Sequence, residues 1–143
     1  DTPAVRRRAC DVAATAAHSD ALVESLVRAL LDDDALVVEA ACWALGEQRP
    51  ADAPGALDTL GRVAHEHPDT RAREAAVAAL GAIGDPAGLA AVLDALGDKP
   101  TVRRRAVVAL AAFDGDEVTA ALERSAADRD WQVREVAEIL LDE

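Results

Sequence analysis

The sequence predicts an all-α chain, an α-α superhelix in which about nine helices stack as antiparallel pairs. Three observations carry that expectation. The nine-residue segment Val102-Arg103-Arg104-Arg105-Ala106-Val107-Val108-Ala109-Leu110 has counterparts beginning at Val5, Val37, Ala72 and Val133, so successive starts are 32, 35, 30 and 31 residues apart. A period of that length marks an architecture of stacked repeats. Hydrophobic residues make up 51% of the chain but aromatics only 2%, namely Trp43, Trp131 and Phe113. An apolar content of Ala, Val and Leu suits many short, closely packed helices. Period-two alternation and Asn-Gly turns are missing, so no strand is expected.

The five segments are each read as a helix, with positions one to nine counted from the starts above. Position one reads Val5, Val37, Ala72, Val102 and Val133, and position nine Ala13, Leu45, Leu80, Leu110 and Leu141. Position five is Ala9, Ala41, Ala76, Ala106 and Ala137. At about 100° per residue, positions one, five, eight and nine share an apolar face. A small residue at its centre is what close helix contact demands. Cys10 and Cys42 fall at position six, where Val77 and Val107 stand in later repeats. Small buried hydrophobes explain all four.

Between these segments lie second helical patterns near residues 20–31, 55–66, 86–97 and 116–127. Asp20 is expected to cap one, and Asp85-Pro86 to open another with Pro at its first position. Gly46, Gly81 and Gly84 are expected to stop the first helix of a pair. Pro50, Pro54 and Pro68 fall between helices, and residues 47–54 read as a longer, Pro-containing turn. One repeat domain over 1–143 results, with repeat boundaries near 33, 68, 99 and 129. The first and last segments each lack one neighbour, and the chain starts at Asp1. It therefore reads as a piece of a longer protein, or as one whose ends pack on something else. Trp131, at the start of the last helix, is expected to pack on the preceding one.

Thr101-Val102-Arg103 with Ala106 and Ala109-Leu110, Ala72-Arg73 with Ala76, Ala79-Leu80-Gly81 and Gly84-Asp85-Pro86, and Trp131-Gln132-Val133-Arg134 with Ala137 carry a resemblance. The chain resembles the HEAT-repeat superfamily along its whole length, in particular the short HEAT-like repeats of the phycobilisome-lyase type. The resemblance implies a polar ladder between repeats, built on Asp98 before Arg103 and Asp128 before Arg134. Val38 takes the place of the second repeat's Arg and removes one rung. The fold hosts many roles, so it names none.

Composition narrows the function. The net charge is −12, from 27 acidic and 15 basic residues. Duplex DNA and anionic membrane would repel such a surface. With 17 Asp, and Lys99 as the one lysine, the composition is similar to that of salt-adapted proteins. Two cysteines suit a reducing cytoplasm. No apolar run approaches a membrane span.

Searching for chemistry returns none. His65 and His67 are two apart and point in different directions on a helix, so no metal site is expected. Ser19, Ser25 and Ser125 stand in no nucleophile elbow. Gly81-Ala82-Ile83-Gly84 is a turn rather than a phosphate loop. Asp32-Asp33-Asp34 is a solvated helix start. No cofactor is expected and no enzyme.

The remaining candidate is a surface. Position seven lies opposite the apolar face, yet reads Asp11, Trp43, Ala78, Val108 and Ile139. Position three reads Arg7, Glu39, Glu74, Arg104 and Glu135, and position four begins Arg8 and includes Arg105. The resemblance implies that these helices line the concave side of the superhelix. An apolar strip of Trp43, Val108 and Ile139 would then run between charged rows. Such a strip marks a protein interface, with Trp and Arg as its anchors. The expected function is a non-enzymatic protein-interaction scaffold, and the residues name no particular partner or oligomeric state. Two alternatives remain: an accessory subunit of a chromophore lyase or other cofactor-modifying enzyme, as the resemblance implies, and a nucleic-acid-binding module of the HEAT-like DNA-glycosylase kind using Arg6 to Arg8 and Arg103 to Arg105.

Overall fold

Short polar side chains set where most of the helices start, while those beginning at Leu89, Pro100 and Asp116 have no side-chain cap. Thr2, Ser19, Asp34, Asp69, Asp85 and Asp130 each accept a hydrogen bond from a backbone N–H two or three residues on. This satisfies donors that the first helical turn leaves unpaired. The computed structural model describes residues 1–50 and 54–143. Its helices are α1 (Pro3–Ala13), α2 (Asp20–Ala29), α3 (Ala35–Gln48), α4 (Pro54–Glu66), α5 (Thr70–Ile83), α6 (Leu89–Ala95), α7 (Pro100–Leu110), α8 (Asp116–Ser125) and α9 (Trp131–Asp142). A 3-10 turn, Pro86–Gly88, leads into α6. Among the described residues there is no strand, and no helix is long and apolar enough to cross a membrane.

The odd-numbered helices form one layer, α1 on α3, α3 on α5, α5 on α7 and α7 on α9. The even-numbered helices back it: α2 packs on α3 and α4, α4 on α5 and α6, α6 on α7, and α8 on α9. The core lies between the layers and between successive repeats. Ala41, Ala76, Ala106 and Ala137 are fully buried, as are Leu45, Leu80 and Leu110. Each such leucine contributes about 2 kcal/mol of apolar burial, an upper bound.

Five expectations about element ends and faces need correction. Ser19, not Asp20, caps α2, through its hydroxyl to the Leu22 N–H at 3.1 Å. Asp20 is the first helical residue. Gly46 and Gly81 do not stop helices but sit inside α3 and α5. Helix α3 ends instead at Arg49 in the left-handed region (φ 45°), and α5 at Gly84 (φ 67°). The two inner glycines let the next helix come close: a Cβ on Gly46 would lie 3.3 Å from Ala79 Cα. The turn expected over 47–54 is therefore shorter, because residues 47–48 are helical and α4 begins at Pro54; residues 51–53 lie outside the described residues. In α1, Val5, Ala9 and Val12 are exposed although positions one, five and eight are apolar. Those positions face the preceding repeat, as the contact of Gly46 with Ala79 at position eight demonstrates, and among the described residues no helix lies on that side of α1. Trp131 is exposed rather than packed on α8; Val133, two residues on, is the first-turn side chain of α9 that enters the core.

The polar ladder exists with different partners. Arg73 grips Asp98 through two N–H···O bonds of 2.8 and 3.0 Å, and Arg103 grips Asp128 at 3.0 and 2.9 Å. Arg6 holds Asp32 at 2.7 and 3.1 Å. Each carboxylate is thus clamped by the arginine of the repeat before it, not by the arginine that follows in sequence. The following arginine takes a backbone carbonyl instead: Arg103 donates to Asp98 O at 2.9 Å and Arg134 to Asp128 O at 2.8 Å. The chain Arg73–Asp98–Arg103–Asp128–Arg134 is continuous. Where Val38 removes the arginine, the matching acid is missing too: His67 stands six residues before Arg73, as Asp128 stands six before Arg134. His67 Nδ1 accepts the Asp69 N–H at 3.0 Å, the backbone bond that Asp128 makes to Asp130 N–H at 2.8 Å. The loop keeps its turn while the ion pair is lost.

Candidate binding face

Position seven of the odd-numbered helices points away from the even-numbered layer. Trp43 is 43% exposed, Val108 44% and Ile139 55%, with Ala78 half-buried between the first two. These are the large apolar side chains that burial elsewhere would have taken up, held outward by the helical phase of their neighbours at positions five and nine.

Three successive helices converge on Trp43. The Arg105 guanidinium lies 5.6 Å from the Trp43 ring centre. The same Arg105 donates from Nη2 to Glu74 Oε1 at 3.3 Å. Trp43 (α3), Glu74 (α5), Arg105 and Val108 (α7) are therefore in one place. A cation over an exposed ring contributes about 0.5–1 kcal/mol, and a surface ion pair no more than about 1 kcal/mol. These contacts position Arg105 without locking it.

Two open grooves flank it. One, of about 420 Å³, is lined by Trp43, Ala78, Ala82, Arg105, Val108 and Ala112. The other, of about 170 Å³, is lined by residues that include Glu74, Thr101, Arg104, Arg105, Val108 and Gln132. The first is apolar with one cation at its edge. The second carries donors at Thr101, Arg104 and Gln132 and an acceptor at Glu74. The arrangement can take an apolar side chain out of water beside groups that fix a polar one.

Of the sequence candidates, Trp43, Glu74, Arg104, Arg105 and Val108 line these grooves. Arg7 and Arg8 are exposed on α1, and Glu135 and Ile139 on α9, outside both grooves. Glu39 is half-buried on α3 and pairs with Arg71 at 3.4 Å. Sequence reading missed Arg71, which precedes its segment by one residue, and Ala82 and Ala112, which follow theirs. Extending the nine-residue register by two positions at each end would have found all three.

The basic runs are only partly available. Arg6 and Arg103 are committed to Asp32 and Asp128, leaving Arg7, Arg8 and Arg104 free of ion pairs among the described residues. Burial pushes the Cys42 and Cys10 thiols up, in Cys10 with help from the Asp11 charge. Both are packed as small apolar groups rather than activated. Comparison with curated proteins gives no match. The HEAT-repeat family matches twice, over residues 1–75 and 57–142, and with this register of small-residue helix contacts running through both stretches the chain belongs to the HEAT-repeat family.

Proposed function

We propose that the chain is a non-enzymatic scaffold that binds another protein on the outward face of its odd-numbered helices. HEAT repeats in general serve protein interaction, and the finer assignment rests on this face. The observation that supports it most is the exposed strip Trp43, Val108 and Ile139, in one register on α3, α7 and α9 with Ala78 at that position on α5, and rimmed by Arg7, Arg8, Glu39, Glu74, Arg104, Arg105 and Glu135. A half-exposed tryptophan adds little to the fold, yet a tryptophan desolvated at the centre of an interface is worth about 2 kcal/mol or more. Two buried free thiols support a reducing compartment as its place of work.

Affinity capture from the native host, with wild type and Trp43→Ala compared by mass spectrometry, tests the reading. The expected outcome is a partner retained by wild type and lost by the variant at unchanged melting temperature. A variant that melts early and still holds its partner would place Trp43 in the fold and refute the interface.

A further inference from the structure

We propose that the face takes an acidic segment of another protein, with one bulky apolar side chain in the groove between Trp43 and Val108 and a carboxylate on Arg104. The inference rests on the proposed scaffold role and adds the chemistry of the partner.

Three observations on α3, α5 and α7 lead there. Apart from Arg105, the larger groove is lined by Trp43, Val108 and small residues that include Ala78, Ala82, Ala109 and Ala112, so it receives carbon rather than polar atoms. It is open and lined largely by alanine, which leaves room for a leucine, isoleucine or phenylalanine. The smaller groove shares Arg105 and Val108 with it, so the two occupants must be close neighbours on one chain. Its exposed side chains Arg104, Thr101 and Gln132 all donate, whereas Glu74 is already engaged by Arg105.

Charge fixes the sign. Glu74 offsets one of the two adjacent arginines, and Arg104 has no ion pair among the described residues. One positive charge, Arg104, is left unpaired in the lining of the smaller groove, in a chain of net charge −12. At physiological salt the field of distant carboxylates is screened within about 8 Å, so the nearby arginine decides which ligand is drawn in. A basic segment would meet Arg104 and Arg105 head on; an acidic one completes the pair that Arg104 lacks, with the planar geometry a guanidinium offers a carboxylate.

The test is selection of a random-peptide phage library on the immobilised full chain, followed by titration of the enriched peptides against wild type, Trp43→Ala and Arg104→Glu. Trp43 emission, isolated in a Trp131→Phe background, reads binding at the groove itself. Enriched peptides are expected to carry Asp or Glu beside Leu, Ile or Phe, to shift Trp43 emission, to lose binding in Trp43→Ala, and to weaken about tenfold in Arg104→Glu. Trp43-dependent peptides that are basic, or that bind Arg104→Glu as well as wild type, overturn the inference and leave the scaffold reading standing. Failure to enrich any peptide that depends on Trp43 or on Arg104 overturns both. Should Trp43→Ala melt early, Arg104→Glu, at a solvent-exposed side chain, carries the decision.

Discussion

Gly81 lies so close to Ala109 that a methyl group on it would sit 2.8 Å from the Ala109 Cβ and 2.9 Å from its Cα. Helix α5 therefore meets α7 backbone to backbone. Gly81→Ala gains about 1 kcal/mol of helix propensity but forces two rigid helices apart, at a cost of about 1–3 kcal/mol or more. The expected outcome is a net loss of stability in urea denaturation. Gly46→Ala, whose nearest contact is 3.3 Å, should lose less or nothing. Equal stability of Gly81→Ala and wild type would mean the helices are not this close.

The Arg103–Asp128 clamp is nearly buried, and Arg103→Ala leaves Asp128 without its cation and Asp98 O without a donor. Removal of one partner of a buried pair costs about 3 kcal/mol. The change at the more solvated Arg6 should be smaller. Comparison of the two unfolding midpoints checks the order.

The Arg73 and Arg103 guanidinium groups hold the Asp98 and Asp128 carboxyls below the ordinary carboxylate range. A carboxyl whose folded pKa is depressed stabilises the fold above its unfolded value of about 4, and that contribution fades as pH falls through the folded value. Wild type should therefore exceed Asp98→Asn/Asp128→Asn in stability by a constant margin from pH 7 to about 5. The margin should shrink below about pH 4. A margin independent of pH down to 2 would show that the carboxylate charge is not what the arginines stabilise.

Val38 and His67 suggest a reciprocal experiment. Val38 is fully buried, so Val38→Arg alone places an unpaired cation in the core and should cost about 3 kcal/mol or more. His67→Asp alone should cost little, because an aspartate makes the same backbone bond elsewhere in the ladder. The double variant recreates a rung, and a double-mutant cycle should return a favourable coupling above about 1 kcal/mol. Additive effects would mean the two positions do not meet.

With 27 acidic residues against 15 basic ones, the folded chain repels itself. Screening relieves that repulsion, so the melting temperature should rise from dilute buffer to molar KCl. A flat or falling curve removes the likeness to salt-adapted proteins.

The repeat was legible because burial repeats with it: Ala41, Ala76 and Ala106 read as contact residues from their register alone, and all are fully buried. Gly81 was not, because a glycine near the end of an apolar run reads as a stop. What keeps it inside α5 is the distance to α7, which no local pattern encodes. The ladder was half legible. Asp98 and Asp128 could be identified as its acids, but the partner of each lies 25 residues earlier, brought near only by stacking. Trp43 could be placed on the outward face by helical phase, whereas its meeting with Arg105 needed the offset between α3 and α7. Trp131 lies two residues before Val133, outside the repeating register that located the buried positions, so its exposure was not legible.

The missing rung gives the stack two kinds of joint. Arg6–Asp32, Arg73–Asp98 and Arg103–Asp128 bolt their repeats by charge, while the α3–α5 seam is closed by apolar surface and, among the described residues, by the pair of exposed Arg71 with half-buried Glu39. Dissolved salt screens the more solvent-facing Arg71–Glu39 pair more than the nearly buried Arg103–Asp128 clamp. Trp43 thus rides on a helix joined to α1, through the loop that leads into it, by the two-bond Arg6–Asp32 clamp and to α5, among the described residues, by the single longer Arg71–Glu39 pair.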